Sequence, residues 1–175
     1  MVLLSFLAIT ALNIAHGSYM KYWLMKTEPL TFSFEDLKKC KNKTTQWEGV
    51  RNYQARNFMK NDMKIGDGVL FYHSVVQPVS IVGTARIAKE AYPDHFALDP
   101  KSGYYDPRST RENPRWFMVD VQYIRSFQTP LTLEEIKNDN VLKNMNLLKK
   151  GNRLSIQPVK ESEWNYITKK LRPEK

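Results

Sequence analysis

The sequence predicts a single α+β domain whose mostly antiparallel sheet curls into a small barrel. Two observations predict this class. Short strand-like segments mix with short amphipathic helices, and they lack the regular βαβ alternation of a parallel sheet. The length of 175 residues suits one domain with a sizeable core, and no internal repeat or interdomain linker divides the chain.

The strands are predicted from alternating or continuous apolar patterns. Residues 79–88 alternate in the manner of a strand that turns one face to a core. Residues 69–74 form a compact apolar run, which predicts a buried strand. We predict further strands over 22–25, 116–124 and 153–159.

Capping motifs mark where two of the helices begin. Ser33 with Asp36 and Thr132 with Glu135 each have the spacing of a capping box. A further helix is predicted over 53–63, and an amphipathic helix near the C-terminus. We therefore expect short helices that flank the sheet.

Residues 92–115 differ in character from the rest of the chain. They carry prolines at positions 93, 100, 107 and 114, with Asp, Asn, Ser and Gly between them. Proline removes a backbone donor, so this stretch is predicted to contain neither a central strand nor a helix. A long irregular segment inside a compact domain is often functional.

The charge balance favours a polyanionic partner. The chain has 27 Lys and Arg against 18 Asp and Glu, a net charge of +9. Such a domain attracts phosphate backbones, because each cationic contact releases condensed counterions. The nine Tyr and four Trp either anchor the core or offer faces on which bases stack.

Motifs of common enzymes and cofactor sites are absent from the sequence. It contains no GxxxxGK[ST], no GxGxxG after a strand, no GxSxG, and no CxxC, HxH or HExxH. His73 and Ser74 are neighbours on a predicted strand and point to opposite faces, so they cannot pair directly. Cys40 is the only cysteine, which favours a reducing compartment. We expect a protein that is not an enzyme and uses no cofactor and no metal.

Residues 1–19 contain no charged side chain and include an apolar run. The run has the length of the apolar part of a signal peptide, but the positive residues that normally precede it are missing. It is shorter than a typical membrane span. We favour a third interpretation, in which Met20 is the true start and the domain covers 20–175, because the strand pattern begins directly after Met20.

Residues 47–54, with the sequence WEGVRNYQ, combine several ligand-binding groups. Gly49 permits close approach of a ligand to the backbone. Arg51 offers a planar fork for a phosphate or a base edge, and Asn52 offers a paired donor and acceptor. The alternative is that the segment only begins a helix, with Asn52 as the N-cap.

A series of motifs in register resembles the EVE-domain family over about residues 20–170. The motifs are WLMKTEP (23–29), WEGVRNYQARNFM (47–59), FYHS (71–74), AYPDH (91–95), YDP (105–107), NPRWFMVDV (113–121) and RLSIQPV (153–159). One departure is Thr27, where the family commonly has serine, and the hydroxyl is kept. The resemblance implies a PUA-like barrel, related to the YTH readers of methylated adenine, that binds modified bases and is not an enzyme.

The resemblance also implies a pocket where the first strand, the GVRN turn, the FYHS strand and the SIQP strand converge. Carried over by position, the ligand-binding residues are Trp23, Lys26, Thr27, Trp47, Gly49, Val50, Arg51, Asn52, Tyr72, His73, Ser74, Ser155, Ile156 and Gln157. The rings of Trp23, Trp47 and Tyr72 are expected to enclose a base. Contacts to backbone phosphates are expected from Arg51, Arg108, Arg111 and Arg115.

We therefore expect a reader that holds a flipped, modified cytosine or adenine of DNA, or a modified nucleotide of RNA, without reacting with it. One alternative is a general RNA-binding module in translation or RNA processing, which preference for structured RNA regardless of modification would favour. Another is a small hydrolase or transferase, which turnover dependent on His73 or Cys40 would support. The expected location is the nucleus in a eukaryote or the cytoplasm in a bacterium.

Overall fold

A computed structural model of the protein describes residues 19–171. The strands are β1 (Tyr22–Thr27), β2 (Thr44–Gln46), β3 (Gly68–His73), β4 (Ser80–Pro93), β5 (Phe117–Thr132) and β6 (Ile156–Val159). The helices are α1 (Phe34–Lys39), α2 (Tyr53–Asn57), α3 (Leu133–Asn138) and α4 (Glu161–Lys170). The prediction for the apolar segment 1–19 lies outside the described residues, apart from Tyr19.

The six strands form one sheet in the order β2-β5-β4-β3-β1-β6. Only β1 and β3 pair in parallel, and every other pair is antiparallel. The α+β class with a mostly antiparallel sheet is therefore confirmed. Within residues 19–171 no ladder joins β2 to β6, so the sheet is not a closed barrel. Both edge strands are short, and β6 contains Pro158, which cannot donate to a further strand.

The two long strands extend well beyond their predicted ends. The alternation over 79–88 belongs to β4, which runs on to Pro93, and the pattern over 116–124 belongs to β5, which continues to Thr132. The β4–β5 register shifts at several points along the ladder. Each irregularity resets which side chains face the core, so a strict period-two pattern ends before the strand does.

The sheet carries an apolar core on each face, because successive strand residues point to opposite sides. Trp23 and Met25 of β1 join the first core, whereas Leu24 joins the second. On β3 the same alternation sends Phe71 to the first core and Tyr72 to the second. This separation decides which aromatic rings can share a site.

The predicted helix starts are confirmed. Ser33 and Thr132 each accept a hydrogen bond from the third helical backbone N–H, and the carboxylate of Asp36 or Glu135 accepts one from the backbone N–H of the cap residue. The helix predicted over 53–63 begins after Asn52 as expected, but it is α-helical only to Asn57 and continues as a π-helical turn over Phe58–Asp62. In the part of the chain that the structure describes, no helix has the length and apolar character to cross a membrane.

His73 ends β3, and its side chain fixes the start of α1. Its Nε2 atom accepts a hydrogen bond of 3.0 Å from the backbone N–H of Phe34. Burial lowers the pKa of His73. Both observations agree, because only an unprotonated Nε2 can accept this bond.

We predict that protonation of His73 weakens the fold at mildly acidic pH. Since the folded-state pKa lies below the ordinary 6.5, the stabilisation is present above about pH 6.5 and is lost as pH falls through the folded-state value. The variant His73→Gln keeps an acceptor but does not titrate. Chemical denaturation at about pH 7.5 and about pH 5.5 should show a larger loss of stability in the wild type than in the variant. Equal losses in the two proteins would contradict this role of His73.

Candidate functional site

A cleft of about 640 Å³ opens where four segments of the chain meet. Its walls come from the C-terminal end of β1 and the turn after it, the segment from β2 to α2, the irregular loop that follows β4, and the residue before β6. The volume lies within the range of small-molecule sites, about 300–1,000 Å³. The cleft is therefore large enough for a single nucleobase.

Part of the predicted ligand-binding set lines this cleft. The members that do so are Lys26, Thr27, Trp47, Gly49, Val50, Arg51, Asn52 and Ser155. They lie far apart in sequence but meet because β6 pairs with β1, and the backbone N–H of Lys26 donates to the carbonyl of Ser155 at 2.8 Å. The GVRN segment and the end of the first strand are thus brought together as the resemblance implied.

The predicted enclosure by three rings is wrong, because only Trp47 among them reaches the cleft. Trp23 is 2% exposed, and its indole N–H donates to Asp67 at 2.9 Å within the first core. Tyr72 lies on the opposite face of the sheet, where burial raises its pKa to about 12. Strand alternation explains the error, since Phe71 and not Tyr72 meets Trp47, edge to face at 5.6 Å.

The remaining predicted residues also lie outside the cleft. Ile156 is fully buried in the first core. His73 is engaged with α1, and the hydroxyl of Ser74 donates to the carbonyl of Thr27 at 2.8 Å. Gln157 lines a different cleft. A residue that neighbours a cleft residue along the chain therefore does not always direct its own side chain into the cleft.

Two further rings, which the sequence did not single out as binding residues, line the cleft beside Trp47. Phe32 comes from the turn after β1, and Tyr104 comes from the proline-rich loop. The Tyr104 ring covers Gly49 so closely that a Cβ there would lie 2.5 Å from ring atom Cζ. Gly49 also has φ +76, a conformation that favours glycine. The glycine in the WEGVRN motif therefore makes room for an aromatic wall.

Two charged residues, Lys26 and Glu48, are among those that line the cleft. Burial lowers the pKa of Lys26, whose Nζ lies 5.8 Å from the centre of the Tyr72 ring. Although Glu48 is exposed, partial desolvation raises the pKa of its carboxyl group, and the nearby Asp94 adds to the shift. Glu48 offers acceptors to the cleft, whereas the ammonium group of Lys26 lies beside Tyr72 on the other face of the sheet. Such a lining can bind a polar, planar ligand along its edge.

Two polar residues of the cleft already have structural partners. The hydroxyl of Thr27 donates to the carbonyl of Phe32 at 2.7 Å, which fixes the turn after β1. The side-chain oxygen of Asn52 accepts the backbone N–H of Ala55 at 3.0 Å as the N-cap of α2. The interpretation of Asn52 as the N-cap is thus confirmed, and its role in ligand binding stays a prediction for a residue that lines the cleft.

Arg51 holds the cleft together instead of projecting into solvent. Its Nη1 lies 2.8 Å from Oδ2 of Asp94, whose side chain is fully buried. The same carboxylate oxygen accepts the backbone N–H of Gly49 at 3.2 Å. Arg51 also donates twice to the carbonyl of Tyr104. The predicted role of Arg51 in phosphate binding is therefore not supported, because its guanidinium group is committed to internal partners.

The other loop arginines divide into two kinds. Arg115 is largely covered, with Nε 3.6 Å from Asp106 and Nη2 bonded to the hydroxyl of Tyr53. Arg108 pairs with Asp106 at 3.0 Å but keeps a side chain that is 67% exposed. Hydrogen bonds from Arg108 and then from Trp116 hold the pKa of Asp106 well below its usual range. Arg111 is exposed. Of the four predicted phosphate contacts, Arg108 and Arg111 remain accessible.

No group of three or more His, Cys, Asp or Glu within residues 19–171 is arranged to hold a metal ion.

The cleft residues that the sequence analysis missed differ in how visible they were in the sequence. Glu48 lay inside the segment that the sequence singled out, whereas Tyr104 lies in a loop whose contact with Gly49 joins residues far apart in the chain. The length, irregularity and arginines of the loop pointed to a function, but none of them identified Tyr104.

The fold and the cleft together define a small α+β domain with a base-sized cleft at the end of its sheet. Residues 21–170 match the model of the EVE domain, and the chain belongs to that family. The resemblance seen in the sequence is thereby confirmed, and with it the predicted PUA-like fold.

Similar proteins are found among vertebrates. Thymocyte nuclear protein 1 of Gallus gallus is 46% identical over 163 residues, which cover 83% of this chain and 66% of the relative. The Homo sapiens protein of that name is 43% identical over 163 residues, which cover 83% of this chain and 72% of the relative. The chain thus spans about two thirds of the length of these relatives.

Solved structures share the fold. A hypothetical protein from Leishmania major has a TM-score of 0.80 and 46% identity, covering 86% of this chain and 94% of that one. Human THYN1 protein in complex with 5-methylcytosine-containing DNA has a TM-score of 0.78 and 42% identity, covering 85% and 96%. An ASCH protein from Zymomonas mobilis, at 9% identity and a TM-score of 0.50, shares the fold alone.

We predict that Arg51→Met destabilises the protein by about 3 kcal/mol, because it leaves the buried Asp94 carboxylate without its charged partner. Loop 94–116 should also become more sensitive to limited proteolysis. Urea denaturation measures the first effect. The control Arg111→Met removes an exposed guanidinium and should change stability by less than about 0.5 kcal/mol. Similar stabilities for the two variants would show that the Arg51–Asp94 pair does not anchor the loop.

Proposed function

We propose that the protein is a non-enzymatic reader of modified DNA that holds a flipped, methylated cytosine in the cleft. The observation that carries this proposal is the coincidence of a base-sized cleft with likeness to human THYN1 protein, whose structure was solved with 5-methylcytosine-containing DNA. The cleft supplies aromatic walls and polar groups for such a base. In this proposal the protein binds the nucleotide without reacting with it.

Stacking in the cleft offsets the cost of taking a base out of the duplex. Unstacking and unpairing cost a few kcal/mol. Stacking on an aromatic side chain returns about 1–3 kcal/mol per base. Tyr104 is 41% exposed and is therefore accessible to a base, while Trp47 is 7% exposed and is held by Phe71 as a fixed wall. A methyl group at the edge of the base adds apolar surface that such a lining favours.

Glu48 supports recognition of cytosine in particular. An ionised carboxylate accepts a hydrogen bond from the exocyclic amino group of cytosine, which thymine lacks. Glu48 lies in the cleft beside the aromatic walls. In this proposal Glu48 identifies the base, and the rings sense the added methyl group.

The surrounding loop contributes phosphate contacts. Arg111 is exposed, and the side chain of Arg108 is 67% exposed despite its pairing with Asp106. Both belong to the loop that also supplies Tyr104, so they lie on the segment that forms one wall of the cleft. These contacts would strengthen binding to any sequence and make the affinity dependent on salt.

The location of the protein is proposed from its relatives. The vertebrate relatives are named as nuclear proteins, and binding of modified DNA is consistent with that compartment. We therefore propose a nuclear location if the host is a eukaryote. Fractionation with an antibody against the native protein would test it.

We predict that Tyr104→Ala weakens binding to a duplex with 5-methylcytosine by roughly tenfold or more, the loss expected for one stacking partner. Tyr105→Ala is the matched control, because Tyr105 is adjacent, similarly exposed at 43%, and does not line the cleft. Fluorescence titrations at fixed salt should compare methylated and unmethylated duplexes of one sequence. Equal wild-type affinity for both would sink the reader proposal, and preference for structured RNA whatever its modification would favour an RNA-binding module.

We predict a pH dependence of binding that depends on Glu48. The ionised carboxylate accepts the cytosine amino group, so affinity should fall as pH falls through the raised pKa of Glu48, above the pH at which an ordinary glutamate titrates. Glu48→Gln should bind more weakly at neutral pH and lose this part of the pH dependence. A variant with the wild-type pH profile would show that Glu48 does not contact the base.

A further inference from the structure

A second cleft of about 560 Å³ adjoins the first. It lies between the start of α2 and the loop 146–154 that precedes β6. Asn52 lines both clefts, and Leu154 of the second is followed by Ser155 of the first. A chain-like ligand that fills the first cleft can therefore continue into the second.

The loop that forms the second cleft is internally braced. The side-chain amide of Asn146 donates to the carbonyl of Pro158 at 2.9 Å, and that of Asn152 donates to the carbonyl of Asn146 at 2.7 Å. The side-chain oxygen of Asn152 in turn accepts the backbone N–H of Leu154 at 3.1 Å. The loop thus has a defined shape without a ligand, and its projecting side chains start from fixed positions.

Three cations project from this braced loop. Lys149, Lys150 and Arg153 line the cleft and are exposed. No carboxylate within residues 19–171 forms an ion pair with any of them. They differ in this from Arg51 and Arg115, whose guanidinium groups are held by acidic side chains. The second cleft therefore offers uncompensated positive charge.

A buried acceptor in the same cleft has no donor. Gln157 is 1% exposed, and its amide nitrogen donates to the carbonyl of Leu154 at 2.9 Å. Its Oε1 atom is buried and has no hydrogen-bond partner among the described residues. Buried polar atoms are normally paired, so the occupant of this cleft is expected to bring an N–H or O–H donor. The cations require that the occupant be anionic as well.

We propose that the second cleft binds the nucleotide next to the one whose base enters the first cleft. Its phosphate lies against Lys149, Lys150 and Arg153, and a donor on its base reaches Oε1 of Gln157. The proposal rests on the proposed function of the first cleft, because the base held there positions the strand. A nucleotide meets both requirements, since it combines a phosphate with N–H groups on its base.

The first test compares Lys149→Gln/Lys150→Gln with the control Lys137→Gln/Lys169→Gln. Both double variants remove two exposed lysines and change the net charge equally, but only the first pair lines the cleft. The affinity for an oligonucleotide is measured over a series of salt concentrations. The slope of log K against log salt should become shallower by about 0.7–0.9 for each phosphate that the variant no longer neutralises, with the control unchanged. Equal slopes for the two variants would overturn the proposal.

The second test uses Gln157→Met, which removes the acceptor and leaves the charge unaltered. Affinity for the oligonucleotide should fall severalfold while the salt slope stays at the wild-type value, because an uncharged acceptor releases no counterions. Unchanged affinity would overturn the contact to Gln157. A melting curve of the variant separates this effect from unfolding.

Failure of this proposal can be told apart from failure of the reader function. The free 5-methylcytosine nucleoside has no phosphate, so its binding should be unaffected by Lys149→Gln/Lys150→Gln. A loss of nucleoside binding in that variant would mean that the lysines act through the first cleft, which overturns the proposal. If the wild type does not prefer methylated DNA, the reader function fails, yet the salt slopes still decide whether the second cleft binds phosphate.

Discussion

The site depends on the contacts that the buried carboxylate of Asp94 makes with Gly49 and Arg51. The carboxylate accepts a hydrogen bond from the backbone N–H of Gly49 and pairs with Arg51. The backbone N–H of Asp94 donates to the carbonyl of Trp116. One residue thus joins the segment before α2 to both ends of the irregular loop. Without that junction the Tyr104 wall would have no fixed position. A charge fully removed from water is stable only when it is paired and hydrogen-bonded, and these contacts satisfy that condition.

Pairing with buried carboxylates also decides which basic residues remain available to a polyanion. Arg51 and Arg115 pair with buried carboxylates and have accessible side-chain fractions of 25% and 29%, whereas Arg108, which also pairs with Asp106, has a fraction of 67%. The net charge of +9 therefore overstates what a polyanion can meet near the first cleft. Charge that remains available lies on Arg108 and Arg111 and on the loop before β6. A phosphate backbone would follow these positions on either side of the base.

The sequence predicted the elements well and the faces of the strands poorly. Capping boxes at Ser33 and Thr132 are local, so they could be identified from spacing alone. The sheet order and the cleft depend on contacts between distant segments, which no local pattern reports. Trp23 and Tyr72 were assigned to the pocket because their motifs belong to it, but strand alternation turns them into different cores. Tyr104 was not identified as a binding residue, because only the folded loop brings it to Gly49.

Asn52 lies where the two clefts meet. Its side-chain oxygen accepts the N-cap bond from the backbone N–H of Ala55. The cap fixes where α2 begins, and that start is the partition between the clefts. Glu48 is the exposed carboxylate of the WEGVRN motif, and in our proposal it identifies the base. The motif therefore separates its tasks: Gly49 and Arg51 build the walls, Asn52 divides them, and Glu48 is the residue that we propose contacts the ligand.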